Sequence, residues 1–361
     1  MFRIRKYINI SNKVIKINLL PDIMLIKHEP NDFIVEEIPE KDWDDAGPFA
    51  VFKLTKISLN TDQAVEIISR RFHLLSNTIK YSGTKDKHAH TIQYISIPSK
   101  GLHVEKIYLD EDNLKLQHVG YCDGPLSLGT LKGNRFIITV REIDGQEVSL
   151  RKLVVPNYFD EQRFSSNNYN IGLCILKHDY KKAVEYMCES SDLYTQKSVE
   201  YLAKHSNDYI GALKNAPRKI LLMCIHSVQS YLFNEALSKM LFEHATTKGI
   251  ECKVVDYSLG RFVYYKDIAD YESILLESLE LAGFNSTSLN HHIKNLLEHN
   301  GLSQRDFITR ALPELSVEGA VRECFIEVEN LKIERMDDRA IVEFELPKGS
   351  YATIVLKALS D

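Results

Sequence analysis

The sequence predicts an α+β protein in which both ends of the chain build one sheet and a helical segment is inserted between them. Three observations carry that prediction. Up to about residue 154, short alternating apolar runs are separated by turns; from Val155 the apolar spacing becomes helical; near residue 313 strand-like alternation returns. A β-rich, helical, β-rich order is what an insertion into a single α+β domain produces. The expected division is residues 1–154 with 313–361 as one discontinuous domain, and 155–312 as the inserted one.

In chain order, Asp32-Phe33-Ile34-Val35-Glu36-Glu37-Ile38 alternates as a strand, with Phe33 and Val35 on one face and Ile34 and Glu36 on the other. The polar turn Lys27-His28-Glu29-Pro30-Asn31 precedes it. The acidic segment from Lys41 to Pro48 carries the only tryptophan, Trp43, and reads as an exposed loop. Phe49 to Ile57 is a second strand. A helix follows, because Asn60 can cap it, Gln63 stands three residues on, and Ala64, Ile67, Ile68 and Phe72 share one face. Thr78 to Tyr81 and Thr91 to Pro98 are strand-like runs on either side of a polar loop. Asn113 to Gln117 is a further strand. Beyond the glycine-bearing stretch Gly120 to Gly133, Phe136, Ile138 and Val140 alternate with Ile137, Thr139 and Arg141. Helical spacing marks Lys177–Glu189, Ser198–His205, Pro217–Ala245, Tyr271–Ala282 and Ser288–Asn300. The longest begins at Pro217, a good first-turn residue. Strands return at Phe325–Val328 and Ala340–Leu346, and Ser350 can cap a short terminal helix.

A chain of 361 residues has room for two ordinary domains. Its 44% apolar and 26% charged residues are those of a soluble globular protein. No apolar run approaches the ~20 residues of a membrane span, and no apolar stretch follows Met1-Phe2-Arg3-Ile4-Arg5-Lys6 as in a signal peptide. The six cysteines lie far apart with no Cys-x-x-Cys pair, which predicts reduced thiols in a cytoplasmic protein and no zinc site. His291-His292 suggests a metal, but adjacent helical positions do not share a face, so none is expected. With a formal net charge of −5, binding to a nucleic acid requires lysines and arginines gathered locally. No heptad or apolar stripe points to a dimer, and a monomer is expected.

The loop Tyr81-Ser82-Gly83-Thr84-Lys85-Asp86-Lys87-His88-Ala89-His90 buries little and places a carboxylate between two lysines. Loops held by rigid strands are where chemistry tends to sit. Neighbouring cations favour an ionised Asp86, and a fixed carboxylate can serve as nucleophile or base. A phosphate loop is excluded, since one glycine alone precedes the lysine.

Gly83-Thr84-Lys85-Asp86-Lys87-His88-Ala89-x-Thr91-x-Gln93 resembles the signature of the TruD family of tRNA pseudouridine synthases. Four further stretches resemble family motifs in the family's order: Lys27-x-x-Pro30-x-Asp32-Phe33-x-Val35 with Glu36 or Glu37 as the matching acid; Leu131-Lys132-Gly133-Asn134-x-Phe136; Pro156-Asn157-Tyr158-Phe159-x-x-Gln162-Arg163-Phe164; and Leu346-Pro347-x-Gly349-Ser350-Tyr351-Ala352-Thr353. Tyr231-Leu232-Phe233-Asn234 is a lesser match. The chain departs from the family at Asp160 and Ser165, where glycine is usual.

The resemblance implies a pseudouridine synthase catalytic domain with a mixed, mostly antiparallel sheet, plus a mainly helical inserted TRUD domain. It implies isomerisation of a flipped-out uridine in tRNA, typically position 13 in the D arm, without metal, nucleotide or other cofactor. It makes Asp86 the catalytic carboxylate and Lys27 its basic partner. Phe33, Asn134, Phe136 and Tyr351 match substrate contacts, and Lys85, Lys87 and Arg163 are candidates for the RNA backbone. Attack at C1′, attack at C6 and proton removal at C2′ all remain open to Asp86. Two other classes compete: a non-catalytic RNA-binding protein or RNA chaperone on the same fold, and a metal-dependent hydrolase or phosphotransferase. A carboxylate amid phosphates would cost a pure binder affinity, and the loop lacks the extra carboxylates that a metal needs.

Overall fold

The alternation read from the first hundred residues does form strands, and the capped apolar stripe forms a helix. The computed structural model describes residues 29–127, 129–141, 148–165, 167–189, 193–267, 270–271, 274, 278–336 and 339–360, without the side chains of 148–152, 193 and 194. Its elements are β1 (Phe33–Pro39), β2 (Phe49–Ile57), α1 (Thr61–Arg71), β3 (Lys80–Tyr81), β4 (His90–Pro98), β5 (Leu109–Glu111), β6 (Leu114–Cys122), β7 (Leu131–Arg141) and β8 (Val148–Pro156). There follow α2 (Asn168–Leu176), α3 (Tyr180–Cys188), α4 (Leu193–Lys204), α5 (Tyr209–Lys214), α6 (Arg218–Lys248), the strands β9 (Cys252–Tyr257), β10 (Gly260–Tyr265) and β11 (Ser278–Glu280), and α7 (His291–His299). Last come β12 (Val321–Glu323), β13 (Phe325–Met336), β14 (Arg339–Pro347) and α8 (Ala352–Leu359).

Packing divides the described chain into two units. One holds residues 29–154, Ile326–Ala352 and 359–360; the other holds Val155–Phe325 and Thr353–Ala358. The first is organised by a sheet in the order β5-β6-β2-β4-β1-β7-β14-β13-β8, with β3 paired to β4. It is mixed and mostly antiparallel: β1 pairs parallel with β4, whereas β1–β7, β7–β14, β13–β14, β2–β4 and β2–β6 are antiparallel. Both ends of the chain thus contribute strands to one sheet. Asn60 and Gln63 form the expected reciprocal cap, and α1 buries Ala64, Val65 and Ile68 against Phe52, Leu54, Ile95 and Ile97. Each large apolar side chain so buried contributes about 1.5–3 kcal/mol. Ile67, expected on that face, is 40% exposed.

In the second unit, α6 is the central element. Pro217 stands at its N-cap and Gly249, at φ +69°, ends it in the left-handed conformation. Leu221, Cys224, Val228, Leu232 and Leu237 are buried along it.

Several expectations are corrected. The segment Tyr271–Ala282 supplies strand β11, because Ser278–Glu280 pairs antiparallel with Val321–Glu323. That pairing also carries the second unit as far as Phe325 rather than to residue 312. The inserted segment contains the hairpin β9–β10 as well as helices. Trp43 is half-buried, its ring 5.1 Å from that of Tyr94. No helix among the described residues is long and apolar enough to cross a membrane.

Candidate active site

The signature loop is held from below by three side chains on neighbouring elements. Register sets them there: β4 lies between β1 and β2, with Val35 opposite Thr91 on one side and Leu54 opposite Gln93 on the other. Gln93 is fully buried, donates from Nε2 to the Gly83 carbonyl at 3.1 Å and accepts from Thr61 Oγ1 at 3.0 Å. Thr61, the first residue of α1, accepts in turn from the Lys85 amide at 3.1 Å. Lys56, on β2, reaches the carbonyls of Leu59, Asp86 and Lys85 at 2.6, 3.2 and 3.4 Å. The loop's first turn is tied sideways, as the Gly129 amide donates to the Ser82 carbonyl at 2.8 Å.

Beside this loop lies a cleft of about 430 Å³ lined by Gly83, Lys85, Leu131, Asn134, Lys348 and Gly349 among others, within the size range of small-molecule sites. Asn134 on β7 stands directly opposite Glu37 on β1, and Lys85 bridges the two. Its ammonium donates to Asn134 Oδ1 at 2.8 Å and lies 3.0 Å from Glu37 Oε1. Glu37 Oε2 accepts from the Tyr94 amide at 3.0 Å. Burial raises the Glu37 carboxyl above its ordinary value, with the Lys85 charge and the Tyr94 amide opposing. Strand alternation puts Glu37 on the Phe33 and Val35 face, while Glu36 points the other way to Lys53 at 3.2 Å. Gly133 lets β7 approach β14 closely: a Cβ there would fall 2.2 Å from the Leu346 carbonyl oxygen.

Of the residues picked out by sequence, Lys85 and Asn134 come together in the cleft. Asp86 is half-buried on the same loop, and Lys87 and His88 are exposed beside it. Lys85 was expected on the RNA backbone; its side chain is 10% exposed and turned inward to Glu37. Phe33 and Phe136 are buried in the sheet's core layer, their rings 6.1 Å apart, with Phe344 stacked on Phe136 at 5.6 Å. Tyr351 is half-buried, two residues beyond Gly349 of the cleft wall. Lys27 lies outside the described residues. Sequence reasoning gave no role to Lys56, Thr61 or Gln93. Lys56 had a signal: it continues the inward alternation of Phe52 and Leu54, where a lysine is out of place.

Arg163 belongs to the second unit, on the 3-10 turn Glu161–Phe164, with its guanidinium 5.4 Å from the Phe159 ring. Asn234 on α6 secures the same motif: it accepts from the Phe159 amide at 2.9 Å and donates to the Phe159 carbonyl at 2.8 Å. Asp160 is buried, accepting from Thr353 Oγ1 at 2.6 Å and from Lys357 Nζ at 2.5 Å. Its φ of −82° and that of −58° at Ser165 need no glycine, so the two departures are accommodated.

His291 and His292 do come together, their ring centroids 3.8 Å apart, and His292 Nε2 lies 3.1 Å from Glu243. His291 is the first residue of α7, next to the cap Asn290. Possible donor atoms of Glu243, His291 and His292 lie within 4.8 Å of one another, in the second unit.

The family model described as tRNA pseudouridine synthase D (TruD) matches residues 23–198 and 189–359. The chain is 32% identical over 396 residues to a protein of Methanococcus maripaludis named "Probable tRNA pseudouridine synthase D 1", covering 92% of this chain and 97% of that one. It is 30% identical over 378 residues to the tRNA pseudouridine synthase D of Aquifex aeolicus, covering 92% and 97%. Its fold is similar to the crystal structure of a Methanosarcina mazei protein assigned to TruD, with a TM-score of 0.63, 23% identity and 96% and 94% coverage. Matches over nearly the full length, on both units, allow one conclusion: this chain belongs to the tRNA pseudouridine synthase D (TruD) family.

Proposed function

We propose that this protein is a tRNA pseudouridine synthase that converts uridine 13 of the D arm to pseudouridine, with Asp86 as the catalytic carboxylate. It works without metal or cofactor, as a monomer, in the cytoplasm. The observation that carries the reading is the fixed loop: Gly83 to Asp86 is held by Gln93, Thr61 and Lys56 beside the cleft that contains Asn134. Membership of the family supplies the reaction class.

Uridine inside folded RNA hides its glycosidic bond, so the nucleotide must leave the stack, at a cost of a few kcal/mol. An asparagine offers both a donor and an acceptor to the uracil edge. Asn134 is held through its carbonyl oxygen by Lys85, which leaves its amide nitrogen to donate to a uracil carbonyl. Tyr351 offers an aromatic face to an unstacked base. Phe33 and Phe136 support the cleft from the core. Isomerisation then breaks the N1–C1′ bond and forms the C5–C1′ bond, N1 taking up a proton from solvent and the C5 proton passing to it. Asp86 acts at C1′, C6 or C2′. Lys87 and Arg163 meet phosphates, and Lys27 holds the Asp86 carboxylate. The sheet-bearing unit forms the catalytic domain, and the unit that begins at Val155 is the insertion.

Mapping carbodiimide-reactive pseudouridine by primer extension on a tRNA transcript tests this. A new stop at position 13 supports it. Binding without any new stop would instead favour an RNA chaperone, and a stop elsewhere would overturn the assignment of the uridine.

A further inference from the structure

Lys56 is the strangest residue in the sheet-bearing unit. It occupies an inward position of β2, in line with Phe52 and Leu54, and no part of it reaches solvent. Taking an ammonium out of water costs several kcal/mol unless it is well paired. Its three N–H bonds have three acceptors, all peptide carbonyls: Leu59 at 2.6 Å, Asp86 at 3.2 Å and Lys85, the longest, at 3.4 Å. The residues opposite it on β4 and β6 are Thr91 and Leu114, neither of them charged. The charges that act on it are those of the loop, Asp86 favouring the ammonium and Lys85 opposing it.

We propose that Lys56 is the positioning residue of the reaction: anchored to the Leu59 carbonyl, it grips the carbonyls of Lys85 and Asp86 and so fixes the backbone that presents the Asp86 carboxylate. This rests on the reading of Asp86 as the catalytic group. Lys56 touches no reacting atom. Gln93 and Thr61 hold the loop at Gly83 and Lys85, and Lys56 completes the support where the carboxylate itself emerges. Burial also pushes the Lys56 ammonium down to about 8, so deprotonation removes a donor and the positive charge beside Asp86 within an accessible pH range.

The test is a set of single-turnover rates between pH 6.5 and 9.5 on tRNA carrying tritium at uridine C5, with tRNA affinity and far-UV circular dichroism measured in parallel. Lys56→Met should fold, bind tRNA as the wild type does, and react slower by about 100-fold, the loss expected of a misplaced reacting group. Lys56→Arg keeps donors on a group that does not titrate, so its rate should stay level where the wild-type rate falls, near pH 8. A Lys56→Met rate within about threefold of wild type would overturn the proposal, and so would a Lys56→Arg profile with the wild-type alkaline fall. If Lys56→Met does not fold, the comparison of Lys56→Arg with wild type decides alone. Asp86→Asn separates the two readings. An active Asp86→Asn overturns the role of Asp86, and with it the purpose given to Lys56. An inactive Asp86→Asn beside fully active Lys56 variants overturns the Lys56 proposal only.

Discussion

Thr61→Val isolates the brace under the signature loop. The threonine hydroxyl donates to Gln93 Oε1 at 3.0 Å and accepts from the Lys85 amide at 3.1 Å. Valine has nearly the same shape, so the first turn of α1 keeps its packing. What it removes is the donor to a fully buried amide oxygen and the acceptor of a loop amide. A stranded buried acceptor costs about 1–3 kcal/mol, and the loop amide, nearer to solvent, adds less. We therefore expect Thr61→Val to lose about 2 kcal/mol in urea denaturation. On the proposed role of Asp86, the same loss of order in the loop should lower the single-turnover rate about tenfold at unchanged tRNA affinity, since the brace holds the loop backbone that carries Asp86. Gln93→Leu removes the other side of that hydrogen bond, so the double variant should cost about 1 kcal/mol less than the two singles together. A Thr61→Val protein as stable and as fast as wild type would refute the brace. A defect confined to tRNA affinity would refute its catalytic purpose.

Other expectations follow from single side chains. Asn234→Ala strands the amide and carbonyl of Phe159, both buried, and should destabilise the second unit by about 3 kcal/mol, seen as an earlier calorimetric transition. Lys56 is pushed down from 10.5 to about 8 in the folded state, so between those values the unfolded chain binds more protons and this group's contribution to stability rises with pH. Wild type should therefore gain on Lys56→Met from pH 8 to pH 10, by at most about 3 kcal/mol, in matched urea titrations. Turnover should be untouched by a chelator, and the same should hold for a variant with His291 and His292 replaced by alanine. Loss of activity that Mg²⁺ or Zn²⁺ restores would contradict a metal-free reaction.

Much of the fold was legible because one face of most strands is buried. Phe49–Ile57, the capping residues Asn60 and Gln63, and the break at Val155 are local signals, and the structure places elements there. The strand within Tyr271–Ala282 was not legible, since Ser278–Glu280 owes its conformation to a partner more than forty residues away. The hairpin β9–β10 was missed although Ser258-Leu259-Gly260 separates two runs rich in β-branched and aromatic residues. At the site, the resemblance pointed to the loop and to Asn134, but it did not say how the loop is held. The supports come from β2, α1 and β4, and spacing along the chain does not reveal such convergence. Lys85 shows the same limit: as one of two lysines flanking Asp86 it read like Lys87, yet the Glu37 carboxylate across from Asn134 draws it inward.

The most direct measurement is tritium release from C5-labelled uridine in bulk tRNA, with wild type beside Asp86→Asn and tRNA binding checked for both. Release by the wild type and none by the variant, at equal binding, is the predicted result. Release by both would contradict the central assignment, because another group would then be carrying the reaction.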